Sequence, residues 1–261
     1  MEMDVQLKDW PGLASGGISD LVVTASAPVF FFCGAMVNFI ILLNSIVTEK
    51  EQRLRHAMEM MGLQPSTYWL SWFLTNLLII IPNSLVTCAF GVAFGFDFFV
   101  NTDFGVVFLL FFVFQLAMTT MAFFLSTWVR QARSAVLLGI FVLIIGLIFM
   151  LAVFSSTYVG YIWWQDSTDK AGWIVLMFLP FFNFGKLFVD ISTLANGKFS
   201  FATQTLVPGV GFTWDDLYKD IPATALPNAT YHPPIPAQSL YFMTWNIFFY
   251  ALVAWYGSFS L

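Results

Sequence analysis

The sequence predicts an all-α membrane protein of about five transmembrane helices, with an amphipathic helix on the cytosolic side and a re-entrant helical hairpin on the lumenal or extracellular side. Three observations predict it. Hydrophobic residues make up 59% of the chain and charged residues only 10%, against roughly a quarter in soluble domains. Five apolar runs are long enough for the roughly 20 helical residues that cross a hydrocarbon core, within which every backbone polar group must pair internally. The densest charge, "EKEQRLRHAMEMMGL" at 49–63, lies between the first two of these runs.

The runs fall at 21–47, 69–94, 104–129, 135–154 and 239–256, after a lumenal or extracellular N-terminal segment at 1–20. A further run at 172–191 is apolar but broken by Pro180, Asn183, Gly185, Lys186 and Asp190. It reads as a hairpin that dips into the membrane and returns, since irregular backbone at that depth needs cover from protein or water; a sixth span is the alternative. Orientation follows from the basic residues. Lys50, Arg53 and Arg55 lie between the first two runs and Arg130 and Arg133 between the third and fourth, whereas "FDFFVNTD" between the second and third carries acids and no base. Both basic loops therefore face the cytosol. The sequon at Asn228 then falls on the lumenal or extracellular side, where glycosylation is expected.

Within 49–63, Glu49 with Arg53 and Glu51 with Arg55 are acid-before-base pairs at i, i+4, a spacing that adds a few tenths of a kcal/mol on a helix surface. Leu54, Met58 and Met61 recur at i, i+4 and i+7, so the spacing predicts an amphipathic helix over 49–61. Gly62 stands where a helix end takes a left-handed residue, and Pro65 prevents continuation. By physics alone this helix would lie in the headgroup layer, anchored by Trp69 and Trp72.

The remaining chemistry is sparse. Cys33 and Cys88 sit in apolar runs, where a thiol behaves as a small hydrophobe, and suggest neither a disulfide framework nor a metal site. His56 and His232 fall on opposite sides of the membrane, so they share neither a metal nor a catalytic triad. The net charge of −5 is spread over loops and gives no reason to expect nucleic acid. The first twenty residues lack the basic and apolar regions of a signal peptide. Asn76 and Asn83, seven apart, lie on one face of the second span, where amides bond neighbouring helices or line a path, and Pro82 should kink that span. Lys186 and Asp190, at i, i+4, mark either a hinge or polar gate or a stretch at the membrane interface.

The run "VTEKEQRLRHAMEMMGLQPSTYWLSWFL" at 47–74 closely resembles a segment of the A subfamily of ATP-binding cassette (ABC) transporters, through its acidic-basic-acidic triplet, Met-Met-Gly-Leu string and Tyr-Trp start of the next span. "FFLSTWVRQARSA" at 123–135 resembles the family's short second cytosolic loop, and "FTWDDLY" at 212–218 also fits. The resemblance implies an ABC-2 type transmembrane domain over 21–256 that moves lipids or related amphiphiles. It implies that 49–61 is a coupling helix docking on a nucleotide-binding domain, with Glu49, Lys50, Glu51, Arg53 and Arg55 as polar contacts and Leu54, Met58, Met61 and Gly62 completing the surface. ATP and magnesium would belong to that domain, and a second transmembrane half is the other implied partner. The chain has no G-x-x-x-x-G-K-[ST] run, so no catalytic residue is expected in it. It stops at 257–261, where a linker toward an ATP-binding domain is expected, and reads as a fragment; a stand-alone membrane subunit or scaffold is the alternative. The abundant phenylalanines are compatible with acyl-chain contact or with ordinary lipid-facing positions.

Overall fold

A computed structural model describes residues 15–151, 170–196, 198–200, 205–207, 209–221 and 234–259. Asn228 and His232 lie outside the described residues. The helices are α1 (Ser15–Glu51), α2 (Leu54–Met60), α3 (Pro65–Ala93), α4 (Asp97–Val100), α5 (Phe104–Trp128), α6 (Ala132–Phe149), α7 (Lys170–Met177), α8 (Pro180–Ala195) and α9 (Pro236–Phe259). A short antiparallel pair, β1 (Lys198–Ser200) with β2 (Thr205–Val207), and a 3-10 turn at Trp214–Tyr218 complete the described elements.

Among the described residues, four helices are long and apolar enough to cross a membrane: Ser26–Glu51 of α1, Ser66–Ala93 of α3, α5 and α6. The fifth expected run forms α9, whose 24 residues match the others in length but include Gln238, Thr244 and Asn246. These polar side chains lower its hydropathy, and Asn246 is buried within the bundle.

The bundle is built around α5, which is in contact with α9, α1, α3 and α8. On one flank α6 packs on α1 through Gly139 and Gly146, two turns apart on one face. A Cβ at Gly139 would stand 2.9 Å from Ile40 Cγ1, and one at Gly146 would stand 2.1 Å from Phe32 Cζ. Small residues let the two backbones approach, the usual basis of helix packing in lipid. On the other flank α3 buries a narrow stripe, Asn76, Ile80, Ser84 and Cys88, and exposes much of the rest. Pro82 lies inside α3 without ending it. Asn83 Nδ2 donates to Gln115 Oε1 of α5 (2.7 Å), and Gln115 Nε2 donates to Ser84 Oγ (3.2 Å), so an amide network joins the two helices. Asn76 bonds its own helix instead, at Trp72 O (2.9 Å).

The broken run at 172–191 becomes two helices, α7 and α8, meeting at Phe178–Leu179. Every residue from Pro180 to Thr193 is buried, so α8 is a core element. Its Phe184 stacks on Phe114 and its Phe188 on Phe98, with centroids 4.1 and 4.3 Å apart. Many of the phenylalanines thus pack on one another rather than on lipid. The carbonyls at the end of α7, which have no helical partner, are met by side chains. Met177 O accepts from Asn183 Nδ2 (2.6 Å) and Asn246 Nδ2 (3.1 Å), and Phe178 O accepts from the Tyr250 hydroxyl (2.6 Å). Asn246 lies ten residues into α9, about 15 Å along the helix at 1.5 Å per residue.

The end of the bundle opposite α2 is tied by backbone and by one side-chain amide. Asn101 Nδ2 donates to Ala195 O, Gly211 N to Leu194 O and Phe212 N to Asn101 O, at 3.0, 3.1 and 2.9 Å. The 3-10 turn is capped by Thr213 and Asp216, whose carboxylate accepts from Thr213 N and Oγ1. The Lys219 ammonium, then Thr213, hold that carboxyl below the usual range.

Substituting Gly146 with valine should destabilise the α1–α6 contact by about 1–3 kcal/mol, the cost of overpacking a filled interface. Gly172→Ala, at a position with open space around it, should leave stability unchanged. Thermal unfolding of the purified protein in detergent checks both; equal midpoints for the two variants would contradict this packing.

Candidate functional site

The helix expected over 49–61 is divided. Helix α1 continues through Glu51, and the chain then turns at Arg53, which adopts a left-handed conformation (φ 60) rarely taken by a residue with a side chain. Only Leu54–Met60 form α2. Gly62 (φ 94) closes it in a Schellman arrangement, with Gly62 N donating to Glu59 O (3.0 Å) and Leu63 N to Met58 O (3.1 Å). None of the residues of α2 is buried. Leu54 is 46% exposed, Met60 78% and Met61 80%, so the apolar side of a seven-residue helix stands outside the bundle. Met58 is half-buried, and Arg53 and His56 are exposed.

The pairs Glu49 with Arg53 and Glu51 with Arg55 do not form, because the turn at Arg53 breaks the helical register they require. Each member of the Glu49-Lys50-Glu51 triplet instead fastens a different helix to the end of α1. Glu49 Oε2 accepts from the Tyr68 hydroxyl (2.9 Å) and from Trp72 Nε1 (3.4 Å), both in the first turns of α3. Lys50 Nζ donates to Ser126 O (3.2 Å), Thr127 O (3.0 Å) and Val129 O (3.1 Å), which saturates its three protons on the carbonyls at the C-terminus of α5. Glu51 Oε2 accepts from Ala132 N (2.8 Å), the first residue of α6. Both terminal contacts also complement the helix dipoles, a cation at the negative end of α5 and an anion at the positive end of α6.

Arg55 turns inward from α2. It pairs with Glu59 (3.0 Å) and lies over the rings of Tyr68 and Trp69, 5.3 and 5.8 Å from their centroids. Tyr68 therefore receives α1 through Glu49 and α2 through Arg55, which sets the root of α2 against the start of α3. Arg130, on the α5–α6 connection, and Arg133, in the first turn of α6, sit beside this cluster, both exposed.

Lys186 and Asp190 lie far along the chain from this cluster, on α8. Both are buried, at 3% and 2% exposure, and the Lys186 ammonium donates to Asp190 and to Pro234 O. The pair thus ties α8 to the chain entering α9. It is a fully packed contact. Phe30, Phe31, Phe98, Phe99 and Phe188, with Asp97, line a cavity of about 270 Å³ between α1, α4 and α8. Among the described residues, no three of His, Cys, Asp and Glu come together as metal ligands.

The spacing of the triplet gave its charges but not their partners. Tyr68 is 19 residues from Glu49, Ser126 is 76 from Lys50, and Ala132 is 81 from Glu51. The Asn246 and Tyr250 contacts to the α7–α8 turn were likewise missed. A polar residue amid an apolar span was the one available signal for Asn246.

A family described as ABC-2 family transporter protein matches residues 9–256. Among similar proteins, ABC transporter A family member 1 of Dictyostelium discoideum is 35% identical over 234 residues, 87% of this chain and 25% of that protein. ABC transporter A family member 2 of Arabidopsis thaliana is 42% identical over 129 residues, 49% of this chain and 13% of that protein. ABC transporter A family member 8 of D. discoideum is 34% identical over 174 residues, 66% of this chain and 21% of that protein. The chain thus spans a quarter or less of the length of these relatives. An ABC-2 membrane domain is a transport component and is not itself catalytic. With that match over nearly its whole length and its multi-pass helical bundle, the chain belongs to the ABC-2 transporter family, as a membrane domain of the ABC A-family kind.

Proposed function

We propose that this chain is the membrane-spanning part of an ATP-driven transporter of lipids or related amphiphiles, with α2 as the element that a nucleotide-binding domain grips from the cytosol. The observation that carries the reading is a helix with no buried residue, rooted in a cluster where Glu49, Lys50 and Glu51 join α1 to α3, α5 and α6. Exposed Leu54, Met60 and Met61 with half-buried Met58 offer an apolar surface, and methionine suits a contact that repacks as a partner moves. Arg53, beside them, supplies charge. The domain supplies nucleotide hydrolysis, with ATP and magnesium bound there.

On this reading α2 works as a short lever. A force on Leu54, Met58, Met61 and the Gly62 turn reaches α1 through the chain and α3 through Arg55 and Tyr68. It reaches α5 and α6 through Lys50 and Glu51, so four spans receive one displacement. Glu49, Lys50 and Glu51 thus serve as transmitters rather than as surface contacts. At the far end the displacement meets α8, whose Lys186–Asp190 pair and Asn246 and Tyr250 contacts fix it to α9. We place the α7–α8 hairpin as re-entrant, because its turn has carbonyls satisfied by side chains well along α9, the arrangement that irregular backbone at depth requires. The aromatic cavity beside α1 and α4 supports an amphiphilic cargo, being apolar within and carrying Asp97 at its wall.

Two outcomes test this. In the complete protein, Arg53→Glu combined with Leu54→Asp should weaken docking by about 2 kcal/mol, on the scale of an interface anchor. Transport and transport-linked ATP hydrolysis should fall together while membrane insertion stays normal; unchanged transport would refute α2 as the docking element. Lys50→Met leaves three helix-end carbonyls unpaired and should cost about 1–3 kcal/mol of stability. It should reduce transport more than ATP hydrolysis, measured side by side in proteoliposomes. Equal loss of both would show that Lys50 transmits nothing.

A further inference from the structure

Besides Arg53, exposed at the start of α2, the lysine and arginines at this end divide into two sets. Lys50 and Arg55 are spent on carbonyls, on Glu59 and on aromatic rings. Arg130 and Arg133 have no hydrogen-bond or ion-pair partner among the described residues, and both are exposed. Of the acids nearby, Glu51 accepts from Ala132 N and Glu49 from Tyr68 and Trp72, and neither forms an ion pair with these arginines.

Helical periodicity shows where these arginines sit. On α6, Arg133 is followed at i+4, i+8, i+11 and i+15 by Leu137, Phe141, Ile144 and Ile148, which are 61, 59, 49 and 59% exposed. This is the stripe that α6 turns away from α1, and in a membrane it faces lipid. Arg133 stands at its cytosolic end. At the cytosolic end of α5, Phe124 packs against Trp128 with ring centroids 5.3 Å apart. Trp128 is 74% exposed, and tryptophan at the end of a span settles at headgroup depth. Arg130 lies two residues beyond it, and the connection from Trp128 to Ala132 is too short to carry either arginine far from the membrane surface.

We propose that Trp128, Arg130 and Arg133 form a binding site for an anionic phospholipid of the cytosolic leaflet. The inference rests on the sidedness given above, with α2 in the cytosol. Guanidinium groups match phosphate oxygens with paired donors, and the negative cytosolic leaflet attracts basic residues held at its surface. The site stands at the end of the outward stripe of α6 and of the last turn of α5 rather than on α2, which separates it from the surface offered to a nucleotide-binding domain. A bound lipid would hold the α5–α6 connection, and through Glu51 and Lys50 the root of the lever, at a fixed depth.

The test uses the complete protein in nanodiscs of phosphatidylcholine with and without phosphatidylserine, and native mass spectrometry of the lipids it retains. The wild type should retain the serine lipid in preference to the choline lipid. The preference should fall about fivefold for each arginine removed in R130Q and R133Q, the effect of one basic group at an anionic surface. R130K/R133K, which keeps the charge, should keep most of it, and R53Q, on the α2 side, should keep all. Equal retention of both lipids by the wild type, or an unchanged preference in R130Q/R133Q, would overturn the proposal. Loss of ATP-hydrolysis coupling in R130Q/R133Q with the lipid preference intact would assign the arginines to a protein partner and would also overturn it. Failure of α2 itself appears separately, as normal transport in the Arg53 and Leu54 variant.

Discussion

The Lys50 ammonium on the carbonyls of Ser126, Thr127 and Val129 is the contact on which the α2 end of the bundle depends. Helix α5 is the most enclosed span, and a helix ends with four carbonyls that have no partner of their own. Lys50 takes two of those of α5, Ser126 O and Thr127 O, with Val129 O just beyond the helix, while Ser126 Oγ and Thr127 Oγ1 turn back to Phe123 O and Phe124 O. One side chain thereby terminates α5, fixes the height of α1 against it and releases the chain into the short connection to α6. Glu49 and Glu51 on either side do the same for α3 and α6 with opposite charge. Three consecutive residues at the end of a helix point in different directions, which is why they can hold three neighbours at once.

That geometry explains the exposed helix beyond it. Once α1 has delivered its triplet inward, the chain must reverse sharply, and the left-handed Arg53 makes the turn. Helix α2 is too short to be stable on its own account, since isolated helices below about 12 residues are marginal in water. It is held by the Schellman closure at Gly62 and by Arg55 on Tyr68, Trp69 and Glu59. A helix kept in shape by its ends and by one arginine leaves its other side chains available to a partner. At the opposite end, the Lys186–Asp190 pair and the amides on the α7–α8 turn play the same part for α8 and α9, with buried polar contacts fixing elements whose apolar surfaces alone would allow sliding.

Much of this was legible in the sequence, for physical reasons that particular residues make plain. Apolar length marked α1, α3, α5 and α6, and it marked α9 despite Asn246. Gly62 gave the end of α2, because a positive φ is a property of a single residue; Pro65, read only as stopping that helix, opens α3 four residues before the expected run. The polar breaks at 180–190 indicated a divided element, though not that α8 would be wholly enclosed. Local spacing could not indicate the partners of the triplet. The i, i+4 pairs were consistent with a surface helix, but each offers only a few tenths of a kcal/mol, and charge-assisted bonds to buried helix ends outweigh that. Arg53 was the other blind spot, since nothing in an arginine advertises a left-handed conformation. The phenylalanines were ambiguous by composition, and only the packing of Phe184 on Phe114 and Phe188 on Phe98 places them inside.

The central claim is that the root of α2 and the ends of α5 and α6 move as one body. The most direct measurement is the distance between spin labels at Met60 and Gln131, both exposed, in the complete protein with Cys33 and Cys88 replaced. A second pair, Met60 and Val100, reports on the opposite end of the bundle. The account predicts that the first distance stays narrow and unchanged between nucleotide-free and nucleotide-trapped states while the second shifts. A first distance that broadens or changes on nucleotide trapping would contradict it, because the triplet would then be a contact that opens during the cycle and not the joint that carries it.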